Sequence, residues 1–179
     1  MIIRGGEMFD PIALLFGTVS TAIVFFPAFL SPTPKESYRH YDTVAPRVAS
    51  APPKWLFAPA WMVLYALVAT AEILHVLTVD AAGVDAVFVA TWSLFVINVL
   101  LNHFWSRAFF DMRRPGLALA DAGLLLLSAA AVAGLYGFAR LWISMAFFIV
   151  YSAWLVYAVV INTNWVWVVN TSAPYAKAC

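Results

Sequence analysis

The sequence has few charged residues and a single cysteine, and both shortages narrow what the protein can be. Only 11% of its 179 residues are Asp, Glu, Lys or Arg, and the formal net charge is +1. This net charge is too small to give the basic surface that nucleic-acid binding requires, and we expect no nucleic-acid partner. Cys179 is the last residue of this sequence, and we expect neither a disulfide within the chain nor prenylation at this cysteine.

The residue groupings that mark several common classes of enzyme are also missing. The chain has no Cys/His cluster, no glycine-rich phosphate loop and no Ser/His/Asp grouping. Metal, phosphoryl-transfer and hydrolytic chemistry therefore have no support in the sequence, and we expect no metal and no resident cofactor.

Apolar residues are present in large excess. They make up 64% of the chain, and the mean hydropathy is +0.88. A water-soluble core of ordinary size cannot hold so many apolar side chains. The composition therefore predicts an integral membrane protein.

Five apolar runs are each about 20 residues long, which is enough to cross a hydrocarbon core. Residues 31–55, rich in Pro, Ser and charge, separate the first run from the second and are predicted to form one long loop. The other connections are short, as between neighbouring antiparallel helices. We predict an all-α integral membrane protein, a single domain over residues 1–179 built as a five-transmembrane-helix bundle, with spans at approximately 11–30, 56–78, 86–107, 116–138 and 141–168.

The basic residues are divided unequally between the two ends of this predicted bundle. Eight of the ten fall at one end, and only Arg4 and Arg140 fall at the other. Because cytoplasmic loops carry the excess of Lys and Arg, the N-terminus is predicted to lie outside and the C-terminus inside. The sequence does not identify the membrane.

Polar and aromatic side chains form a stripe on the third predicted span. Asn98, Asn102, Trp105 and Phe109 lie at spacings that place them on one face of a helix. Amides facing lipid would be costly, so this stripe is predicted to face the bundle interior. It could serve there as hydrogen-bonding contacts between helices or as the wall of a pocket.

Aromatic stripes also occur on the second and fifth predicted spans. Trp61 and Tyr65 are one helical turn apart on the second span. On the fifth span a narrow arc contains Tyr151, Trp154, Tyr157 and Trp165. With the amides of the third span, these stripes predict a wall suited to a large flat ligand.

The alternative for the aromatic residues is a belt at the membrane interface. A belt suits Trp55, Trp165 and Trp167, which lie near the ends of spans, and it fits the mid-span Trp154 poorly.

Four ionisable residues in or near the spans need partners. Glu72 and His75 are spaced i and i+3 near the far end of the second span, a spacing at which they could pair. His103 is predicted to be a structural hydrogen-bonding residue rather than a metal or haem ligand. Asp121 lies close to a membrane edge and is predicted to be partly hydrated.

Three blocks of sequence occur in order along these spans: PPKWLFAPAWMVLY, INVLLNHFWSRAFFDMRRPGLALAD and VYSAWLVYAVVIN. Together they resemble the TspO/MBR family, the tryptophan-rich sensory or translocator proteins. The middle block is the most specific, because two amides, a tryptophan and a phenylalanine pair followed by R-R-P-G-L-A-L and an acid form a pattern that hydrophobicity alone does not generate.

The resemblance implies a five-helix bundle, frequently dimeric, with a porphyrin-binding pocket under a lid formed by the long first loop. It further implies that Trp61 and Trp154 are pocket tryptophans and that Asn98 and Asn102 are pocket amides. Combining the stripes with the resemblance, we predict that the ligand-binding residues are Trp61, Tyr65, Asn98, Asn102, Trp105, Tyr151 and Trp154.

The sequence departs from the family pattern in the lid. The family's Trp-Tyr pair is absent there, and Tyr38 and Tyr41 are the nearest substitutes. We predict a membrane-embedded binding protein that senses or transports a tetrapyrrole such as porphyrin. Two alternatives stay open, namely light- and oxygen-dependent breakdown of porphyrin and a regulatory membrane partner without ligand transport.

Overall fold

The computed structural model describes residues 15, 17–22, 24, 35–78 and 84–171, and all regular secondary structure within them is helical. The α-helices with assigned bounds are α1 (Lys35–Val44), α2 (Phe57–Val76), α3 (Ala86–Ser106), α4 (Pro115–Phe138) and α5 (Trp142–Thr171). Short helical turns extend the ends of these helices at Ala45–Arg47, Lys54–Leu56 and Arg107–Asp111.

Four helical segments of the described residues are long and apolar enough to cross a membrane. They are Lys54–Val76, Ala86–Asp111, Pro115–Phe138 and Trp142–Thr171, which match the second to fifth predicted spans with ends shifted by a few residues. The first predicted span, 11–30, lies mostly outside the described residues. Those described within it, 15, 17–22 and 24, are helical, and the count of five spans stays a prediction.

The ends of the long helices follow from local sequence. Asp85 caps α3, because its carboxylate accepts a hydrogen bond from the Phe88 N–H at 2.7 Å. Pro115 opens α4 at a position where a missing N–H costs nothing. Arg140 closes the tight α4–α5 connection in a left-handed conformation with φ of 60°.

The third span continues beyond its predicted end at residue 107, because α3 passes into a π-helical turn over Arg107–Asp111. The Met112 N–H reaches the Arg107 carbonyl at 2.8 Å, and Arg113 takes a positive φ of 53° before α4 begins. This turn keeps Ala108 and Phe109 facing the protein, both of them buried.

The segment 31–55 was predicted to be one long loop, and this was wrong for residues 35–44, which form α1. The helix forms because Tyr41 and Val44, three residues apart on one face, are buried against the ends of α3 and α5, while Asp42 and Thr43 stay exposed. Burial of this apolar face overrides the polar composition of the segment.

The core of the bundle lies between α2, α3, α4 and α5. Here α4 presents a row of alanines, buried at Ala118, Ala122, Ala129 and Ala133, against its neighbours. Small residues let membrane helices approach closely. Because the alanines occupy little space, the large aromatic side chains of α2, α3 and α5 are left to fill the interior between those three helices, where the candidate site is found.

Candidate functional site

Three tryptophans from three helices meet around a small cavity, which we term the aromatic cavity. Trp61 of α2 lies with its ring centroid 6.3 Å from that of Trp105 on α3 and 6.3 Å from that of Trp154 on α5. The cavity has a volume of about 10 Å³, room for about one water molecule. Its lining consists of Phe57, Trp61, Trp105, Phe109, Trp154, Ala158, Ile161 and Asn162.

A second cavity, the amide cavity, lies deeper along α2 and α3. Its volume is also about 10 Å³. Tyr65 lies in its wall, and the Tyr65 ring centroid is 5.4 Å from that of Trp61, so one aromatic pair connects the two cavities. The lining of the amide cavity consists of Val24, Tyr65, Val68, Asn98, Val99, Asn102, His103 and Tyr151.

Asn102 is the centre of a hydrogen-bond network in the amide cavity. The Tyr65 hydroxyl donates to Asn102 Oδ1 at 2.9 Å, and Asn102 Nδ2 donates to the Tyr151 hydroxyl at 3.3 Å. The network connects α2, α3 and α5 through one amide that is 4% exposed. A polar ligand group entering the cavity would therefore find a phenol, an amide and a second phenol in sequence.

Asn98 is placed differently, although it shares the stripe and the cavity. Its Nδ2 donates to the Leu125 carbonyl at 3.0 Å and to Ser128 Oγ at 2.8 Å, both on α4. Both amide protons therefore hold α3 against α4. Of the two interpretations of the stripe, contact between helices describes Asn98 in this structure.

The seven residues predicted to bind the ligand all lie in the walls of these two cavities. Trp61, Trp105 and Trp154 line the aromatic cavity. The other four line the amide cavity, namely Tyr65, Asn98, Asn102 and Tyr151. The single predicted wall is thus divided into an indole part and a hydrogen-bonding part.

Asn162 belongs to the aromatic cavity and was missed in the sequence. It accepts a hydrogen bond from Trp105 Nε1 at 3.4 Å, while its own Nδ2 donates to the Ala158 carbonyl at 2.7 Å. Asn162 follows Tyr151 by eleven residues, about three helical turns, so the periodicity of α5 could have placed it on the same face.

The helix α1 packs beside the aromatic cavity through Tyr41, which contacts the lining residue Phe57. The Tyr41 ring stacks on Trp165 with a centroid distance of 5.2 Å, and it meets Phe57 edge-on at 5.6 Å. Burial, together with the neighbouring Tyr157 and Asp42, raises the pKa of Tyr41 to about 12. Its hydroxyl stays protonated near neutral pH and donates to the Pro52 carbonyl.

Residues 48–52, which follow α1, are anchored to α5. The Tyr157 hydroxyl donates to the Ser50 carbonyl at 2.9 Å, and Asn164 Nδ2 donates to Ser50 Oγ at 2.8 Å. An exposed ion pair between Lys54 and Asp42, 2.8 Å apart, adds little because water screens it. We call residues 35–52 the lid, after the role that the resemblance implies for this segment; they are held by α5.

The sequence left two interpretations of Trp165, the aromatic arc of the fifth span and the interfacial belt. Trp165 is 1% exposed because Tyr41 and Phe109 cover it, which fits the arc and contradicts the belt. Trp55 and Trp167, 69% and 67% exposed, fit the belt. Asp121 was predicted to be partly hydrated, but it is buried, because α4 turns it toward the protein.

The described residues contain no group of three or more His, Cys, Asp or Glu side chains that could hold a metal ion. His103 lies in the wall of the amide cavity and is not part of such a group. The side chains of these cavities offer stacking by indoles and phenols, and hydrogen bonding by three amides (Asn98, Asn102 and Asn162), two phenols (Tyr65 and Tyr151) and one imidazole (His103).

Comparison with known proteins identifies one family and several relatives that match parts of the chain. The model of the TspO/MBR family matches residues 13–168. A tryptophan-rich protein TspO from Chlorobaculum tepidum is 35% identical over 97 residues, which cover 52% of this chain and 56% of that protein. A translocator protein homolog from Schizosaccharomyces pombe is 31% identical over 125 residues, 64% of this chain and 68% of that protein.

A third relative is the tryptophan-rich protein TspO of Archaeoglobus fulgidus, 36% identical over 70 residues, which cover 39% of this chain and 42% of that protein. The chain therefore spans between about two fifths and two thirds of the length of the curated relatives it matches.

Proposed function

The chain belongs to the TspO/MBR family of multi-pass membrane proteins, and from this premise we propose that it binds a porphyrin or a related tetrapyrrole in order to sense or transport it. The observation that carries the proposal is the convergence of Trp61, Trp105 and Trp154 beside the hydrogen-bond network of Asn102. Family membership by itself supports a sensory or translocator role and leaves the ligand to be inferred from the site.

The two cavities match the two chemical characters of a porphyrin. The macrocycle is flat, conjugated and apolar, and indole rings bind such surfaces by offset or edge-to-face stacking. Its polar nitrogens and substituents need hydrogen-bonding partners in a water-poor site, and Tyr65, Asn102 and Tyr151 offer both donors and acceptors.

Binding requires the site to open. Each cavity has a volume of about 10 Å³, whereas pockets for small organic ligands measure about 300 Å³ or more. The Trp61 and Trp154 rings stand edge-on to one another, with an interplanar angle of 76° and centroids 6.3 Å apart, so a planar ligand could stack on both only after one ring turns. We therefore propose that the lid and at least one indole move when the ligand enters.

Fluorescence quenching by protoporphyrin IX in the dark tests the proposal. We expect saturable quenching in detergent, with an affinity about 2- to 10-fold weaker in Trp61→Leu, since a lost aromatic contact is worth about 0.5 to 1.5 kcal/mol. The matched control is Trp142→Leu, which removes an exposed tryptophan at the start of α5 and should leave the affinity unchanged. Quenching that never saturates, or that equals quenching by detergent alone, would refute porphyrin binding.

The small cavity volumes also favour a second candidate, a regulatory membrane partner that transports no ligand. A folded protein with no saturable porphyrin binding and a wild-type phenotype in the Trp61→Ala, Asn102→Ala double variant would support this function over the first. A homodimer, which the resemblance implies, is proposed for either function.

A further inference from the structure

Three arginines are concentrated in the short connection between α3 and α4, at the end of the bundle that carries the lid. Arg107, Arg113 and Arg114 are all exposed. Asp111 is the one acidic residue in the connection, which therefore carries three positive charges and one negative charge. The connection is a compact basic patch outside both cavities.

Backbone hydrogen bonds hold the connection in one shape. The Met112 N–H donates to the Arg107 carbonyl at 2.8 Å, and the Arg114 N–H donates to the Ala108 carbonyl at 3.0 Å. Ala108 is buried, so this turn is attached to the core. The three guanidinium groups extend from a constrained turn, and less conformational freedom is lost when they bind a common ligand.

The three arginines are not neutralised by any carboxylate among the described residues. The pairs of acidic and basic side chains that the structure records there are Lys54 with Asp42, 2.8 Å apart, and His75 with Glu72, 3.5 Å apart. The second is the pair that the spacing on the second span allowed. Positive charges within one turn repel one another, and a bound anion would remove this repulsion.

The connection lies at the level where lipid headgroups are expected. It joins two segments long and apolar enough to cross a membrane, Ala86–Asp111 and Pro115–Phe138. Trp55 and Trp167, which fit the interfacial belt, lie at the same end of the bundle. Met112 is 45% exposed between the arginines. A guanidinium group in this position meets the phosphates of the bilayer.

We propose that Arg107, Arg113 and Arg114 form a binding site for the headgroup phosphate of an anionic phospholipid. Each guanidinium can donate two hydrogen bonds to phosphate oxygens. A lipid fits better than a free phosphate, because exposed apolar side chains adjoin the patch on both helices. Phe104 lies one turn before Arg107, and Leu117 lies one turn after Arg114, where acyl chains could pack against them.

The charge of the patch favours anionic over zwitterionic headgroups. Basic clusters beside spanning helices attract anionic lipids. The quaternary ammonium of phosphatidylcholine would be repelled by the same guanidinium groups that attract its phosphate. Phosphatidylglycerol has the phosphate without that positive charge, so it is the expected occupant of the two.

This site is separate from the proposed ligand pocket and from the predicted sidedness. The lining residues of the two cavities include none of the three arginines. The experiments below use no porphyrin, and detergent micelles have no inside or outside. A failure of this inference would leave the proposed function standing, and a failure of porphyrin binding would leave this inference standing.

The first test measures the unfolding temperature in a neutral detergent while palmitoyl-oleoyl phosphatidylglycerol (POPG) or the phosphatidylcholine with the same chains (POPC) is added. A lipid that binds only the folded state raises this temperature by mass action. We expect POPG to act at a lower mole fraction than POPC. In Arg113→Gln the mole fraction of POPG required should rise about 5-fold, the value of one basic residue near anionic lipid.

Arg140→Gln is the matched control. Arg140 is exposed and left-handed like Arg113, with φ of 60° against 53°, and it also closes a connection between two spans. It lies at the opposite end, where the other exposed charge that the structure describes is Asp85. Arg140→Gln should respond to POPG as the wild type does. A wild-type response in Arg113→Gln would overturn the proposal, and so would an equal change in both variants, which would indicate an effect of net charge alone.

Two measurements on the wild type test the proposal even where Arg113→Gln does not fold. Raising NaCl from about 0.15 M to about 1 M should remove most of the preference for POPG over POPC, because the Debye length falls from about 8 Å to about 3 Å. Inorganic phosphate at the concentration of the added POPG should leave the unfolding temperature unchanged. Equal responses to POPG and POPC, a preference that salt does not alter, or equal stabilisation by inorganic phosphate would each overturn the proposal.

Discussion

The Tyr65 hydroxyl donates a hydrogen bond to Asn102 Oδ1 at 2.9 Å, and this bond joins α2 to α3 beside the indole of Trp61. The same amide continues to Tyr151 on α5. Asn102 is therefore the residue at which a ligand could replace an existing contact between helices with one of its own polar groups.

The Asn102→Ala variant separates ligand binding from contact between helices. If Asn102 binds the ligand, the change should weaken protoporphyrin IX binding by about 1 to 3 kcal/mol, or about 5- to 150-fold in Kd. If it only connects helices, stability should fall by about 0.6 kcal/mol, the average for membrane hydrogen bonds, and affinity should be unchanged. A porphyrin titration and a thermal unfolding curve of the same variant give both quantities.

The Asn98→Ala variant is the control for this experiment. Both of its amide contacts reach α4, so it should lose stability with little loss of affinity. An equal loss of affinity in the Asn98 and Asn102 variants would contradict the division of roles between the two amides.

The sequence was sufficient to predict the four described spans and the convergence of the stripes, because hydrophobic length and the 3.6-residue period are local properties. It was not sufficient to assign each amide its partner. Asn98 and Asn102 are one helical turn apart and chemically identical, and only the positions of α4 and α5 decide that one contacts a carbonyl and the other a phenol.

The lid shows the same limit more strongly. Neither the helix at Lys35–Val44 nor the burial of Trp165 can be read from local composition, because each depends on the other. Tyr41 is buried because its ring stacks on Trp165, and Trp165 is shielded from the membrane interface because Tyr41 covers it. Such mutual burial is a tertiary property.

The anchoring of the lid to α5 predicts a change in its opening. Tyr157→Phe removes the hydrogen bond to the Ser50 carbonyl, which is worth about 0.5 to 1.5 kcal/mol. We expect trypsin to cleave after Arg47 about 2- to 10-fold faster, because Val48, on the other side of that bond, is buried and becomes accessible only when the lid opens.

Tyr136→Phe provides the control for the lid experiment, since it removes a buried hydroxyl at the other end of the bundle. Its cleavage rate after Arg47 should equal that of the wild type. If cleavage after Arg47 is accelerated equally in both variants, the cause is a general loss of stability, and this result would contradict a specific role of Tyr157 in anchoring the lid.

The predicted sidedness can be measured with the single cysteine of the chain. We expect a membrane-impermeant maleimide to label Cys179 only after cells are permeabilised, because the charge distribution predicts a C-terminus on the inside. As a control, Val84→Cys in a Cys179→Ser background should be labelled in intact cells, since Val84 is exposed at the opposite end. Labelling of Cys179 in intact cells would reverse the proposed orientation.

Trp165 and Trp167 offer a matched test of the lid contact, because they are the same residue type two positions apart in opposite surroundings. Trp165 is 1% exposed and stacks on Tyr41, whereas Trp167 is 67% exposed.

Trp165→Ala should therefore destabilise the protein by about 3 to 5 kcal/mol. It should also accelerate tryptic cleavage after Arg47, since Tyr41 loses the ring on which it packs. Trp167→Ala should change stability by no more than about 0.5 kcal/mol and leave the cleavage rate as it is. If both variants lose the same stability, Trp165 belongs to the interfacial belt after all, and the lid is not held by Tyr41.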